Sequence, residues 1–278
     1  MKVLVTGGSG FIGRPIIREL QNAGHDAVPF DRSDGGDVLD QFAVRDAIDG
    51  NDVVVHLAGL LGTAELLESV HDAIAVNVGG TTNVLAACRD AGARYVGITM
   101  PDCWPSVYQA TKLAATRIAE AYHHAYGLPI AHVRTFNVYG PGQAYGPGHP
   151  QKILPTFAVA AHRREALPIW GSGRNTVDLV HVDDVAATFL AVVEHLDEFD
   201  GRTVDCGTGA ESTVLDVAQS VASVAGWDAP KFDWLPMRAG ETEETYLCAN
   251  PQALVVRGTY YGHDPRFVEA VEWYRSRA

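Results

Sequence analysis

The chain has 278 residues, with 21 Lys and Arg against 34 Asp and Glu, for a formal charge of −13. Hydrophobic residues make up 47% and charged residues 20%, so the chain can bury a full core and is not a disordered segment. The acidic balance argues against nucleic acid or an anionic membrane as partner, and no apolar run approaches the ~18 residues of a transmembrane helix.

In chain order, short apolar runs alternate with helix-period segments. The pattern predicts a strand over Lys2–Val5, a helix over Phe11–Asn22, a strand over Ala27–Phe30 and a short helix over Phe42–Ile48. It continues with a strand at Val53–Leu57, a long helix at Ala73–Ala91, a strand at Tyr95–Thr99, a second long helix at Val107–Tyr126 and a strand at Ile130–Phe136. Repeated βα units with nearly all-apolar strands imply an α/β fold: a Rossmann-type, doubly wound parallel sheet. From Tyr139 a Gly/Pro loop interrupts the pattern. Beyond it lie a helix at Leu154–Arg163, a strand at Val177–Val182, a helix from Asp184 to Leu196 and a strand at Thr203–Gly207. Helices at Leu215–Ala225 and Val268–Arg275 complete the chain. Residues 1–140, with 177–205 returning to them, are expected to form the cofactor-binding domain. Residues 141–176 and 206–278 are expected to form a smaller mixed α/β substrate-binding domain.

Met-Lys-Val-Leu-Val reaches Thr6-Gly7-Gly8 too soon for a signal peptide. Cys88, Cys103, Cys206 and Cys248 form no C-x-x-C pair and suit neither a zinc site nor a disulfide scaffold, so a reduced, cytoplasmic protein without a metal is expected. His123-His124 has no further ligand nearby and reads as a solvated or packed pair. Only Lys2, Lys112, Lys152 and Lys231 are lysines, which makes each one worth following.

Gly7, Gly10 and Gly13 form a G-x-x-G-x-x-G turn between the first strand and the first helix, with Phe11 and Ile12 inside it. Such a turn lets backbone approach a pyrophosphate, and the helix start supplies N–H donors. Asp31 ends the second strand 18 residues after Gly13. A carboxylate there accepts from ribose hydroxyls and repels a 2′-phosphate, which favours NAD; the adjacent Arg32 keeps NADP open. Tyr108 and Lys112 stand in a Y-x-x-x-K, one turn apart on one helix face. An ammonium so placed favours the phenolate and is expected to lower the tyrosine pKa, as a general base requires.

Several segments together resemble the extended short-chain dehydrogenase/reductases, the NAD-dependent epimerase/dehydratase family. These are the glycine turn, Gly36-Asp37-Val38-Leu39-Asp40, His56-Leu57-Ala58-Gly59, Asn77-Val78-Gly79-Gly80-Thr81, the Y-x-x-x-K, Arg134-Thr135-Phe136-Asn137-Val138-Tyr139-Gly140-Pro141, Asp178-Leu179-Val180-His181-Val182-Asp183-Asp184 and Arg238-Ala239-Gly240-Glu241. The resemblance implies that Asp37 and Val38 flank the adenine, and that Leu57, Ala58, Gly59 and Asn77 run along the cofactor. It places Val138 on the nicotinamide side and Asn137 and Arg238 against a nucleotide-sugar substrate, with Trp170 beside its base or packed in the core. It implies 4-epimerisation of a UDP-hexose through a transient keto sugar. The alternatives are net redox on a nucleotide sugar or a catalytically weak binding protein. It also implies a homodimer through a four-helix bundle built from the two long helices.

Two departures stand out. The family places a Ser or Thr at the end of the strand before the tyrosine and then a long loop, whereas only nine positions separate Thr99 from Tyr108 here. Met100 falls where the catalytic hydroxyl belongs; Thr99 is taken as the catalytic hydroxyl, with Ser106 as the substitute. The 4,6-dehydratases follow their threonine with an Asp-Glu pair, and Met100-Pro101 stands there instead. The second departure is Val177 in place of the usual diphosphate arginine, with Arg174 as the candidate replacement.

Overall fold

The computed structural model describes residues 1–243, 245–256 and 258–278. Six parallel strands form the central sheet, in the order Arg202–Cys206, Ile130–Thr135, Arg94–Thr99, Val53–His56, Lys2–Thr6 and Asp26–Phe30. Alternate residues face opposite sides, and both sides are covered. Val3, Val5, Val53 and Val55 pack with Ile16, Leu20, Val185 and Phe189 on one face. Leu4 and Val54 pack with Val84, Leu85 and Ala119 on the other. The strand centres are therefore apolar on both faces, which is why short apolar runs identified them.

From Lys2–Thr6 the chain moves outward to Asp26–Phe30 and then returns to the other side of the first strand as Val53–His56. The crevice at that reversal lies between Gly7 and Leu57, where ligands of doubly wound sheets bind. The helix Gly13–Asn22 starts two residues later than its expected span, because Phe11 and Ile12 stay in the glycine turn. The helix Val107–Tyr126 has the bounds expected of it: Ser106 caps its start by accepting from Gln109 N–H, and Gly127 ends it at a φ of 68°. The first long helix runs from Val70 through a π-helical turn at Ile74–Gly80 into Thr81–Ala91.

The strand expected at Val177–Val182 is broken into Thr176–Val177 and Leu179–His181, with Val182 opening the helix Val182–Glu194. The break is at buried Asp178, whose carboxylate accepts from Thr208 N–H (3.0 Å), Gly209 N–H (2.9 Å), Ala249 N–H (3.1 Å) and the Thr208 hydroxyl (2.6 Å). One carboxylate thereby ties three backbone segments together. A two-stranded parallel ribbon, Leu167–Trp170 with Phe232–Leu235, has no counterpart in the expected elements. Pro168 removes a ladder donor and the partner strand is far along the chain, so neither local signal was present. A third core cluster gathers Leu154, Phe157, Leu167, Ile169, Val217, Val221 and Tyr274 under this second half. Among the described residues no helix is long and apolar enough to cross a membrane, and no group of three or more His, Cys, Asp or Glu is placed to hold a metal.

Candidate functional site

One cleft of about 530 Å3 runs across the carboxyl ends of the sheet strands. At one end it is lined by Gly7, Gly10, Phe11, Ile12 and Gly13 from the first turn, and by Asp31, Arg32, Asp37 and Val38 after the second strand. Leu57, Ala58 and Gly59 line it just after the third strand, and Val138 from the short strand Asn137–Tyr139, which pairs with Leu179–His181. Backbone meets backbone here. A Cβ on Gly7 would fall 2.8 Å from Ala58 N, and one on Gly13 would fall 2.5 Å from Gly7 O. Asp31 accepts from Ser9 N–H (3.3 Å) and Ser33 N–H (3.0 Å), so its carboxylate is fixed at the lip of the turn. Arg32 is exposed, 3.9 Å from Asp37. A helix start reached by glycines and an anchored carboxylate fit a dinucleotide with free ribose hydroxyls.

Asn77 is not part of the lining. Its side chain is buried and spent on a brace: Oδ1 accepts from Leu60 N–H (2.7 Å), and Nδ2 donates to Leu60 O (3.1 Å) and Thr111 Oγ1 (3.0 Å). It shapes the turn after Gly59 from behind.

Tyr108 and Lys112 both line the middle of the cleft from one face of their helix. Their electrostatics differ from the expectation of a lowered phenol. Burial pushes Tyr108 up to about 12 and lowers Lys112 to about 8. In a water-poor wall, desolvation disfavours the charged form of each. Behind them His56 and His132 are buried and neutral, lowered to about 3 and about 4 by burial and then by the Lys112 charge. His56 is wedged between the hydroxyls of Thr6 (2.7 Å) and Thr81 (2.9 Å).

Thr99 and Met100 both line the cleft. The Thr99 hydroxyl lies 2.8 Å from the Thr116 hydroxyl, which itself donates to Lys112 O at 3.0 Å. With the Thr116 proton so committed, Thr99 is the donor in the pair. Ser106 does not line the cleft; its Oγ accepts from Gln109 N–H at 3.2 Å as the helix cap.

The far end of the cleft is lined by Asn137, Trp170, Val177, Arg238 and Glu241. Asn137 Oδ1 is buried without a hydrogen-bond partner, an acceptor left for a donor in the cleft. Arg238 bonds the Glu241 carboxylate and its guanidinium lies 5.3 Å from the centre of the Trp170 ring, so one face of that indole is already covered. Arg174 is exposed and does not line the cleft. Lys152 does, and among the described residues no carboxylate lies within ion-pair distance of it. Burial lowers its pKa, as for an ammonium short of water. The motif reading passed over Lys152; the scarcity of lysines was the available signal. In the shortened loop, Cys103 lines the cleft, and so does Trp104, which the motif reading did not single out.

The family model described as "NAD dependent epimerase/dehydratase family" matches residues 3–99 and 101–207. Among curated proteins, the chain is 28% identical to the dTDP-glucose 4,6-dehydratase of Streptomyces niveus, over 99% of this chain and 93% of that protein. It is 33% identical to the 2-alkyl-3-oxoalkanoate reductase of Stenotrophomonas maltophilia, over 69% of this chain and 65% of that protein. Among solved structures, the UDP-glucose 4-epimerase of Thermus thermophilus in complex with NAD is similar with a TM-score of 0.81 and 26% identity, covering 100% of this chain and 99% of that one.

Proposed function

The chain belongs to the NAD-dependent epimerase/dehydratase family, and from that premise we propose that it is a nucleotide-sugar 4-epimerase acting on a UDP-hexose through a transient 4-keto sugar. The observation that carries the reading is the middle of the cleft. Tyr108 and Lys112 stand there together, and the strand end beside them offers Met100-Pro101 and no acid–base carboxylate pair. Dehydration needs such a pair to remove one proton and expel a hydroxyl. Asp102, the carboxylate of the loop, is bonded by Gln109 Nε2 and does not line the cleft.

NAD, held by the glycine turn and Asp31, would supply the hydride chemistry at C4. Tyr108 takes the proton from the C4 hydroxyl and holds it while the keto sugar turns over. Burial pushes the phenol up to about 12, which suits that holding step and opposes the phenolate needed at the start. The charge on Lys112, one turn along, favours the phenolate needed at the start. Asn137 Oδ1 accepts from a sugar hydroxyl. Lys152 and Arg238 meet the diphosphate, in place of an arginine at 177, and Trp170 borders the base.

The test is exchange at C4 of UDP-glucose by purified protein. Interconversion with UDP-galactose and a flat absorbance at 340 nm are expected, since an epimerase consumes no NAD. Tyr108→Phe is expected to lower turnover by about 10²- to 10⁴-fold, the range for one general acid–base group, with NAD retained. A stoichiometric change at 340 nm would make the protein a net oxidoreductase. Binding of NAD and UDP-glucose without any exchange would make it a binding protein.

A further inference from the structure

We propose that Gln109 is a positioning residue for this reaction: it folds the shortened loop of residues 100–106 into a strap that places Trp104 across the cleft beside Tyr108. The proposal rests on the epimerase reading for its kinetic consequence, and on geometry alone for the strap.

Seven residues join the strand end to the helix start, too few for secondary structure of their own, and their backbone N–H groups need partners. Gln109 supplies them for Cys103 and Trp104, at the middle of the loop. It is 6% exposed, and both ends of its amide are used. Oε1 accepts from Cys103 N–H at 2.7 Å and from Trp104 N–H, while Nε2 donates to the Asp102 carboxylate. The amide orientation follows from these partners, since the reverse would set donors against donors. The strap then crosses to the substrate half: Trp104 Nε1 donates to Thr245 Oγ1 at 3.0 Å, and Thr245 bonds Thr242 O at 3.2 Å. Cys103, Trp104 and Thr245 all line the cleft; Gln109 does not.

Gln109 directly follows Tyr108, and neighbours in a helix point to different sides. It therefore acts on substrate only through the strap. The same turn of helix that presents the phenol also anchors the wall opposite the sugar, so the distance between base and wall is set within a few residues. Small displacements of such a wall cost affinity and alignment. In the family's usual plan a long loop occupies this side. Here one buried amide takes over that task.

The experiment compares wild type, Gln109→Leu, Gln109→Glu, and Gln109→Glu combined with Asp102→Asn. In Gln109→Leu, backbone amide exchange over residues 102–104 is expected to quicken by more than about tenfold, the loss of one or two buried hydrogen bonds, while exchange in Val107–Tyr126 stays as in wild type. The KM for UDP-glucose is expected to rise about tenfold with kcat within about threefold and NAD affinity unchanged. Gln109→Glu alone sets two carboxylates together and behaves like Gln109→Leu. Adding Asp102→Asn swaps donor and acceptor and restores both exchange and KM. Unchanged exchange at 102–104, quickened exchange with unchanged KM, failure of the swap to restore, or exchange quickened along the whole helix would each overturn the proposal. A wild-type protein that turns over no UDP-glucose refutes the epimerase reading. Exchange and the swap still decide whether Gln109 holds the strap.

Discussion

The two ends of the cleft are built from different materials. The cofactor end is mostly backbone: glycines at 7 and 13 bring turn, strand and helix within a Cβ of each other, and the carboxylates of Asp31 and Asp37 are held by backbone N–H groups. The substrate end is side chains from distant segments: Lys152 before one helix, Trp170 on a parallel ribbon, Arg238 with Glu241 in a later loop. Backbone sites are local in sequence and intolerant of any side chain. Side-chain sites are assembled by the fold and can pass a task from one residue to another. The reacting end between them mixes both, with a local Tyr108–Lys112 turn facing a loop held by a buried amide.

The largest effect expected from this contrast is at Gly13. A Cβ there would meet Gly7 O at 2.5 Å and Gly8 Cα at 2.6 Å, backbone that no rotamer change can clear. Gly13→Ala is expected to weaken NAD binding by more than about 100-fold and to lower stability by ~1–3 kcal/mol, the usual cost of overpacking. Calorimetric titration with NAD reads the first and thermal unfolding the second. NAD affinity within about threefold of wild type would mean the turn can open, and the contrast with the far end would fail.

The contrast also explains what was legible in the sequence. The six sheet strands, the glycine turn and the Tyr108 helix were readable because each depends on near neighbours. Val53–His56 is buried on both faces, Gly7 takes a φ of 70°, and Ser106 and Gly127 bound the helix. The pairing of Leu167–Trp170 with Phe232–Leu235 was not, since it is a long-range match with a proline inside it. Arg174 lies near the expected diphosphate arginine in sequence, yet its side chain is exposed off the cleft. Motif spacing reports position along the chain, and two residues at the end of a strand or turn can face opposite ways.

Lys152 and Arg174 are expected to respond unequally to loss of their charge. Lys152→Met is expected to raise the KM for UDP-glucose by about 10- to 100-fold, the loss of a charge-assisted contact of ~1.5–3 kcal/mol, with kcat within a few-fold. Lys152→Arg keeps the charge and is expected to recover most of the affinity. Arg174→Met is expected to change KM by less than about twofold, as for an exposed side chain off the site. Steady-state kinetics of the three variants decides. A larger effect at Arg174 than at Lys152 would mean that the diphosphate has been assigned to the wrong cation.

A similarly small effect is expected at Thr99, the hydroxyl taken as catalytic although Met100 stands at that place in the motif. Its proton is directed at Thr116, whose own proton goes to Lys112 O, so the chain of hydroxyls runs away from the cleft and into the helix. To bridge a reacting sugar oxygen, Thr99 must leave that partner, and a buried hydroxyl gives up ~1 kcal/mol in doing so. On the proposed reading Tyr108 alone would handle the proton, and Thr99 would steady the turn carrying Lys112. Thr99→Val preserves shape and removes only the hydroxyl; kcat is expected to fall by less than about threefold, with Tyr108→Phe still costing orders of magnitude. A fall of about 100-fold in Thr99→Val would show that the hydroxyl turns to the substrate during turnover. The reacting end would then be as local in sequence as the cofactor end, and the strap would be an addition to a full set of catalytic groups.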